Sequence, residues 1–217
     1  MPRSIPIQGR PVQRKPGGGC DVLTRRAWLY GSAAIAVVCL LAAPVLADVT
    51  VVGDRSAFDE VLAAFKKLFS LPGFRAKSTS PKGGLVLEFA APNSWHFTAQ
   101  GGSYGWETIH AGGQSATRMN MPGTTPAWRC GAAKAGDRPL FDPTRATGTY
   151  NVSRGPDTVI DGTPVHTIFS TNGDKKDTIY VGSQNGLPKR VINGEDTIDY
   201  YDYGAQVTIT LPPCGPQ

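Results

Sequence analysis

The stretch from Val159 to Leu211 constrains the fold more than any other part of the chain. Three runs within it, Val165–Ser170, Thr178–Val181 and Thr197–Leu211, are rich in β-branched and aromatic residues, and a shorter fourth covers Arg190–Ile192. Such side chains fit a pleated, half-buried surface. Between the runs stand Asn172-Gly173-Asp174, Asn185-Gly186 and Asn193-Gly194. Asn-Gly tolerates positive φ at little cost and suits tight hairpin turns. The pattern predicts an antiparallel meander, with the rest of the chain completing and capping its sheet.

The front of the chain has a different character. Residues 1–20 hold Pro2, Pro6, Pro11, Pro16 and Gly17-Gly18-Gly19, with no apolar period from which to build a core. Thr24-Arg25-Arg26-Ala27-Trp28-Leu29 follows, then an uncharged apolar run ending Pro44-Val45-Leu46-Ala47. Positive charge, apolar run and small residues at the exit make an export signal, with cleavage expected between Ala47 and Asp48. Residues 1–47 are therefore read as a signal with an unstructured extension, and 48–217 as the domain. Arg25-Arg26 fits a twin-arginine signal as well as an ordinary secretory one. Leu29–Leu46 is 18 residues long, about the lower limit for a membrane span, so a retained anchor is the remaining alternative. Cys39 follows Val37-Val38 and lacks the small residue that lipoprotein processing needs.

Charge divides at the same point. Residues 1–47 carry six of the 22 basic residues and one of the 17 acidic ones, leaving sixteen of each beyond. The basic balance belongs to the leader and argues for no nucleic-acid partner. Cys130 and Cys214 remain beyond the leader, and in an exported chain they pair most simply as one disulfide. It would close a loop of about 84 residues, worth roughly 4–5 kcal/mol in chain-entropy terms. Without nearby histidines the two are not a zinc site, and no other pattern asks for a metal or cofactor.

Asp48–Val52 reads as an extended lead-in. Ser56 is expected to open a helix, with Asp59 approximating a capping box and acids in the first turn. Phe58, Val61, Leu62, Phe65, Leu68 and Phe69 form one wide apolar face, and Pro72-Gly73 stops the helix. Strands are expected at Phe74–Thr79, Leu85–Ala90, Trp95–Ala99, Glu107–Ala111 and Ser115–Met119. Residues 120–158 are irregular, with a short helical turn expected near Phe141-Asp142-Pro143, and their length suggests a lid or functional segment. One helix followed by many strands is α+β with a dominant antiparallel sheet. So large a sheet tends to curl, leaving a pocket under the helix.

The order of elements resembles the periplasmic lipoprotein-carrier superfamily, which includes LolA and the mycobacterial LppX/LprG-type proteins. The likeness covers roughly residues 54–212. It rests on an amphipathic helix before Phe74-Arg75-Ala76-Lys77, and on Gly84-Leu85-Val86-Leu87-Glu88-Phe89 running into Ala91-Pro92 and a Trp-containing strand. Later come Asp161-Gly162-Thr163-Pro164-Val165, Leu187-Pro188-Lys189-Arg190-Val191 and Tyr201-Asp202-Tyr203-Gly204. The resemblance implies a half-open β-barrel covered by the N-terminal helix and an irregular helical insert, holding acyl chains between sheet and helices. The Cys130/Cys214 pair and the possible twin-arginine leader depart from the pattern.

Candidate ligand-lining residues are Phe58 and Phe65 on the helix and Phe89, Trp95, Phe97 and Trp106 on the strands. The same side chains serve equally as plain core. Gly101-Gly102-Ser103-Tyr104-Gly105 matches the G-x-S-x-G nucleophile elbow, with Asp161 and His166 following in hydrolase order. An elbow needs a helix after the serine, and Trp106–His110 reads as strand, so a glycine-rich turn accounts for the same residues. The expected function is an exported, monomeric envelope protein that binds a lipid or acylated protein without catalysis. The alternatives are an envelope sensor or scaffold of the same fold with a protein partner, and a serine hydrolase using Ser103.

Overall fold

The computed structural model describes residues 49–133 and 146–214. The expected leader with its expected cleavage site, and residues 134–145 with the turn expected at Phe141-Asp142-Pro143, lie outside them. The described strands form one sheet. They are β1 (Val49–Gly53), β2 (Gly73–Ser80), β3 (Gly83–Ala90), β4 (Ser94–Gly101), β5 (Tyr104–Ala111), β6 (Gln114–Asn120) and β7 (Arg129–Ala132), then β8 (Gly148–Arg154), β9 (Thr158–Ile160), β10 (Thr163–Asn172), β11 (Lys175–Gly182), β12 (Pro188–Asn193) and β13 (Asp196–Tyr201). Spatial order is β1-β8-β10-β11-β12-β13-β2-β3-β4-β5-β6-β7, with β9 on β10. Among the described residues the sheet curls around one helix, α1 (Arg55–Ser70), without closing.

The expected meander is present as β10–β13, and β13 joins it to a second one, β2–β7. Gly173, Gly186 and Gly194 have φ of 60–61°, the left-handed geometry that the Asn-Gly turns were expected to supply. The lead-in is a true strand, pairing parallel to β8. Of the stretch 120–158, expected to be irregular and partly helical, the described residues contribute strands β7, β8 and β9.

Two expected boundaries are corrected. The helix begins at Arg55, not Ser56, because Asp54 is the N-cap: its carboxylate accepts from the Ala57 N–H at 2.9 Å and from the Ser56 hydroxyl at 2.7 Å. No acid lies in the first turn, since Asp59 and Glu60 fall in the second. The last strand stops at Tyr201 instead of running to Leu211, because Asp202 and Gly204 adopt positive φ and turn the chain away. The residues beyond keep their alternation without a ladder. Ala205, Val207, Ile209 and Leu211 are half-buried, while Gln206, Thr208 and Thr210 are exposed.

This extended tail is tied at both ends. It begins against Gly73 on the outer face, where an added Cβ would lie 2.5 Å from the Ala205 carbonyl oxygen. It ends in the expected Cys130–Cys214 disulfide, Cα atoms 6.0 Å apart. Ile109 and Ala116, in the same outer-face row as Cys130, are buried. Cys214→Ser is predicted to lower the unfolding free energy by about 2–5 kcal/mol in denaturant titrations. It should also make the tail sensitive to protease before the sheet is.

Candidate functional site

The inner face of the sheet is defined by what α1 packs on. Phe58, Val61, Leu62, Phe65 and Leu68 share a core with Phe74, Leu87, Phe89, Trp95, Val152, Ile168, Ile179, Val191 and Tyr200. The helix lies against β1, β8, β11 and β12, so it covers the C-terminal half of the sheet.

Its first half is clamped from below. Gly53 turns the chain with φ 91°, and an added Cβ would stand 2.3 Å from the Val152 carbonyl oxygen, so only glycine fits. The Asp54 N–H donates to that same carbonyl at 2.8 Å. Arg154 on β8 reaches Glu60 at 2.7 Å and Asp54 at 3.4 Å, and His166 Nδ1 on β10 lies 2.7 Å from Glu60 Oε1. Burial works against the charge on Glu60, but the hydrogen bonds from His166 and Arg154 outweigh it and hold the carboxyl below its usual range.

Next to this clamp is a cavity of about 370 Å³, near the lower end of the roughly 300–1,000 Å³ usual for small-ligand sites. Phe58 and Val61 of α1 form one wall, and Tyr150, Val152, Ile168 and Ile179 form the apolar floor. Phe58 and Tyr150 have ring centroids 5.6 Å apart. Polar residues at the strand ends complete the lining: Thr147, Ser170, Asn172, Lys175, Asp177 and Asn193. Burial pushes the Asp177 carboxyl above its usual range, against the Asn193 side chain that donates to it at 2.7 Å and the charge of Lys175.

Of the six residues expected to line a ligand site, Phe58 lines this cavity. Phe65 is fully buried edge-on to Tyr200, and Phe89 stacks on Phe74 at 4.9 Å. Trp95 is buried against His110, and Phe97 is half-buried against Trp106. Trp106 is 47% exposed and donates its indole N–H to Thr108. Phe58 and Phe65 face the sheet from α1, while the other four lie on the inner face of β3, β4 and β5, away from this cavity. The floor residues of β8, β10 and β11 were not singled out from sequence. The signal available was the inward parity of Ser170 and Asp177, polar residues in otherwise apolar positions of paired strands.

One row of cross-strand partners runs across the inner face: Ile168, Ile179, Val191, Ile198, Ser78, Leu85, Ala99, Trp106 and Met119. It is apolar except for Ser78. Exposure rises along it, from buried at Ile168, Ile179 and Val191, through half-buried at Ile198 to Ala99, to 47% at Trp106 and 55% at Met119.

The hydrolase arrangement is not assembled. Ser103 sits in the turn between β4 and β5, and a strand follows it, not a helix. Asp161 faces Lys189 and Arg190, and His166 is held by Glu60. Among the described residues no group of three His, Cys, Asp or Glu side chains could hold a metal ion.

No family model matches the sequence, and no curated protein matches it. Solved structures are similar to it to different degrees. LprF from Mycobacterium bovis has a TM-score of 0.54 at 13% identity, over 75% of this chain and 99% of that one. MucB has a TM-score of 0.43 at 10% identity, over 76% of this chain and 62% of MucB. An outer membrane lipoprotein-sorting protein domain from Vibrio parahaemolyticus has 0.32 at 9%, over 70% and 93%. The LprF match bears out the fold expected from the superfamily resemblance.

The two carboxylates of the site carry opposite pH signatures. Glu60 has a lowered folded pKa, so the stability it adds is present above its unfolded pKa and lost as pH falls through the folded one. Asp177 has a raised folded pKa, so its contribution is complete below the unfolded value and is lost as pH rises through the folded value. In urea titrations across the acid range, Glu60→Gln should cost about 1 kcal/mol near neutrality and flatten the acid-side loss. Asp177→Asn should remove a decline that wild type shows as pH rises from the acid side.

Proposed function

We propose that the protein is an exported carrier that holds a lipid acyl chain in the cavity beneath α1, without covalent chemistry. The observation that carries this reading is the cavity's construction, an apolar floor under the helix with polar side chains gathered at the strand ends. A chain laid on that floor leaves its polar head at the rim. Each methylene withdrawn from water is worth about 0.8 kcal/mol, so a ten-carbon stretch gains roughly 8 kcal/mol, enough to hold a lipid through an aqueous space. Release requires α1 to shift, and the Arg154–Glu60–His166 clamp sets the resistance to that shift.

Further parts of the proposal come from the sequence. The leader ends at Ala47, residues 48–217 form the carrier domain, and the protein works as a monomer in an oxidising compartment outside the cytoplasm. The Cys130–Cys214 disulfide supports that location. Phe58 is the ligand contact on the helix; Phe65 packs beside it in the core on Tyr200, and Phe89, Trp95, Phe97 and Trp106 extend the apolar surface over β3–β5 toward the open half.

Ser170 is buried and lines the cavity. Ser170→Phe fills the space from inside and is expected to weaken binding of a fluorescent fatty acid at least about tenfold. Far-UV circular dichroism should stay unchanged, and the melting point should shift by only a few degrees. Undiminished binding by a folded Ser170→Phe protein would remove this cavity from the proposal.

A further inference from the structure

The half of the inner face that α1 leaves uncovered ends in an exposed apolar patch. Tyr104 is 60% exposed, Trp106 47%, Met119 55% and Met121 49%. Trp106 and Met119 are cross-strand partners, and Tyr104 lies two residues from Trp106 on the same face of β5. The patch sits at one end of the sheet, beside the turns that follow β2 and β4 and the chain leaving β6. The turns after β10 and β12 lie at this same end, and the polar rim of the cavity is built from their flanks at Asn172, Lys175 and Asn193.

Charge at this end is unevenly spread. Between Ala76 and Ala133 the chain has two carboxylates, Glu88 and Glu107. Both point to the outer face, where Glu88 meets Arg75 and His96, and Glu107 meets His96 and Arg118. The exposed cations Lys82, in the β2–β3 turn, and Arg129, beside Thr117 on β7, flank the patch. The exposed carboxylates of this end, Asp174, Glu195 and Asp196, are on the β10–β13 half. Tyr and Trp with one apolar and one polar side favour the membrane interface, and nearby Lys and Arg are drawn to anionic lipid.

We infer that this end of the open half docks on an anionic bilayer surface through Tyr104, Trp106, Met119 and Met121, with Lys82 and Arg129 facing the headgroups. The apolar inner-face row then links the docked edge to the cavity floor, giving an acyl chain a continuous path between membrane and cavity. The path rests on the carrier reading; the docking surface stands on its own residues.

The test uses the processed protein as the exporting cell releases it, its N-terminus read by intact mass. Co-sedimentation is measured with phosphatidylcholine vesicles with and without phosphatidylglycerol, alongside fluorescent fatty acid binding. Wild type should sediment with the phosphatidylglycerol vesicles. Tyr104→Glu with Met121→Glu, both exposed and outside the apolar row and the candidate ligand-lining residues, should lose that binding about tenfold or more while keeping its fatty acid affinity. Lys82→Glu, in an exposed turn where the fold is not at stake, should lose binding about tenfold to the anionic vesicles only. If the double variant fails to fold, Lys82→Glu and the salt sensitivity of wild type decide the matter. Wild type that ignores both vesicles, or variants that sediment as wild type does, would overturn the inference and leave the patch to a protein partner. Vesicle binding without any fatty acid binding would instead sink the carrier reading alone.

Discussion

The seating of α1 on the curled sheet is the interaction on which the rest depends. Its apolar stripe, from Ala57 to Leu68, supplies one side of the core, and the inner faces of β8, β10–β13 and β2–β4 supply the other. Burying each large side chain of that stripe contributes about 1.5–3 kcal/mol, which no surface pair matches. What the polar contacts add is position. Gly53 fixes the direction of entry, Asp54 caps the first turn, and Arg154 with His166 ties Glu60 to the sheet. The first half of the helix thus stands over the cavity, not pressed into it.

Coverage of the sheet is deliberately unequal in its consequences. The helix α1 is too short to cap every strand, and it lies against β1, β8, β11 and β12. The cavity is on that covered half, and the exposed aromatics are on the other. The outer face solves a different problem. The 205–214 tail, anchored at Gly73 and at Cys130, runs on the side away from the helix, and a row of paired polar side chains from Arg75 through Glu88, His96 and Glu107 to Arg118 crosses the same side. These pairs are partly exposed and individually weak, but they consume the carboxylates of the N-terminal half.

Much of the fold was legible because the turn chemistry was strong. Asn-Gly at 172, 185 and 193 marked the final meander, and the 3.6-residue apolar period marked the helix. The boundaries that failed did so for local reasons. Ser56 resembles a cap, but the Asp54 carboxylate takes that role two residues earlier, accepting from the Ala57 N–H and from the Ser56 hydroxyl. The alternation through Thr197–Leu211 is real, yet positive φ at Asp202 and Gly204 sends the second half over the outer face, where it stays extended without a partner strand. The disulfide was readable from the two cysteines left beyond the expected leader. The cavity was only partly readable. Aromatic residues attract attention in a sequence, whereas the floor is built from Val152, Ile168 and Ile179, ordinary strand residues whose meeting depends on register across three strands.

The central claim is that an acyl chain occupies the space under α1. Native mass spectrometry of the protein purified from the cell envelope, followed by solvent extraction, addresses it most directly. The account predicts an added mass that leaves with the organic phase and is identified as an acyl lipid, retained by wild type and reduced in Ser170→Phe. A bare protein mass, with no uptake of added lipid at any concentration, would contradict it.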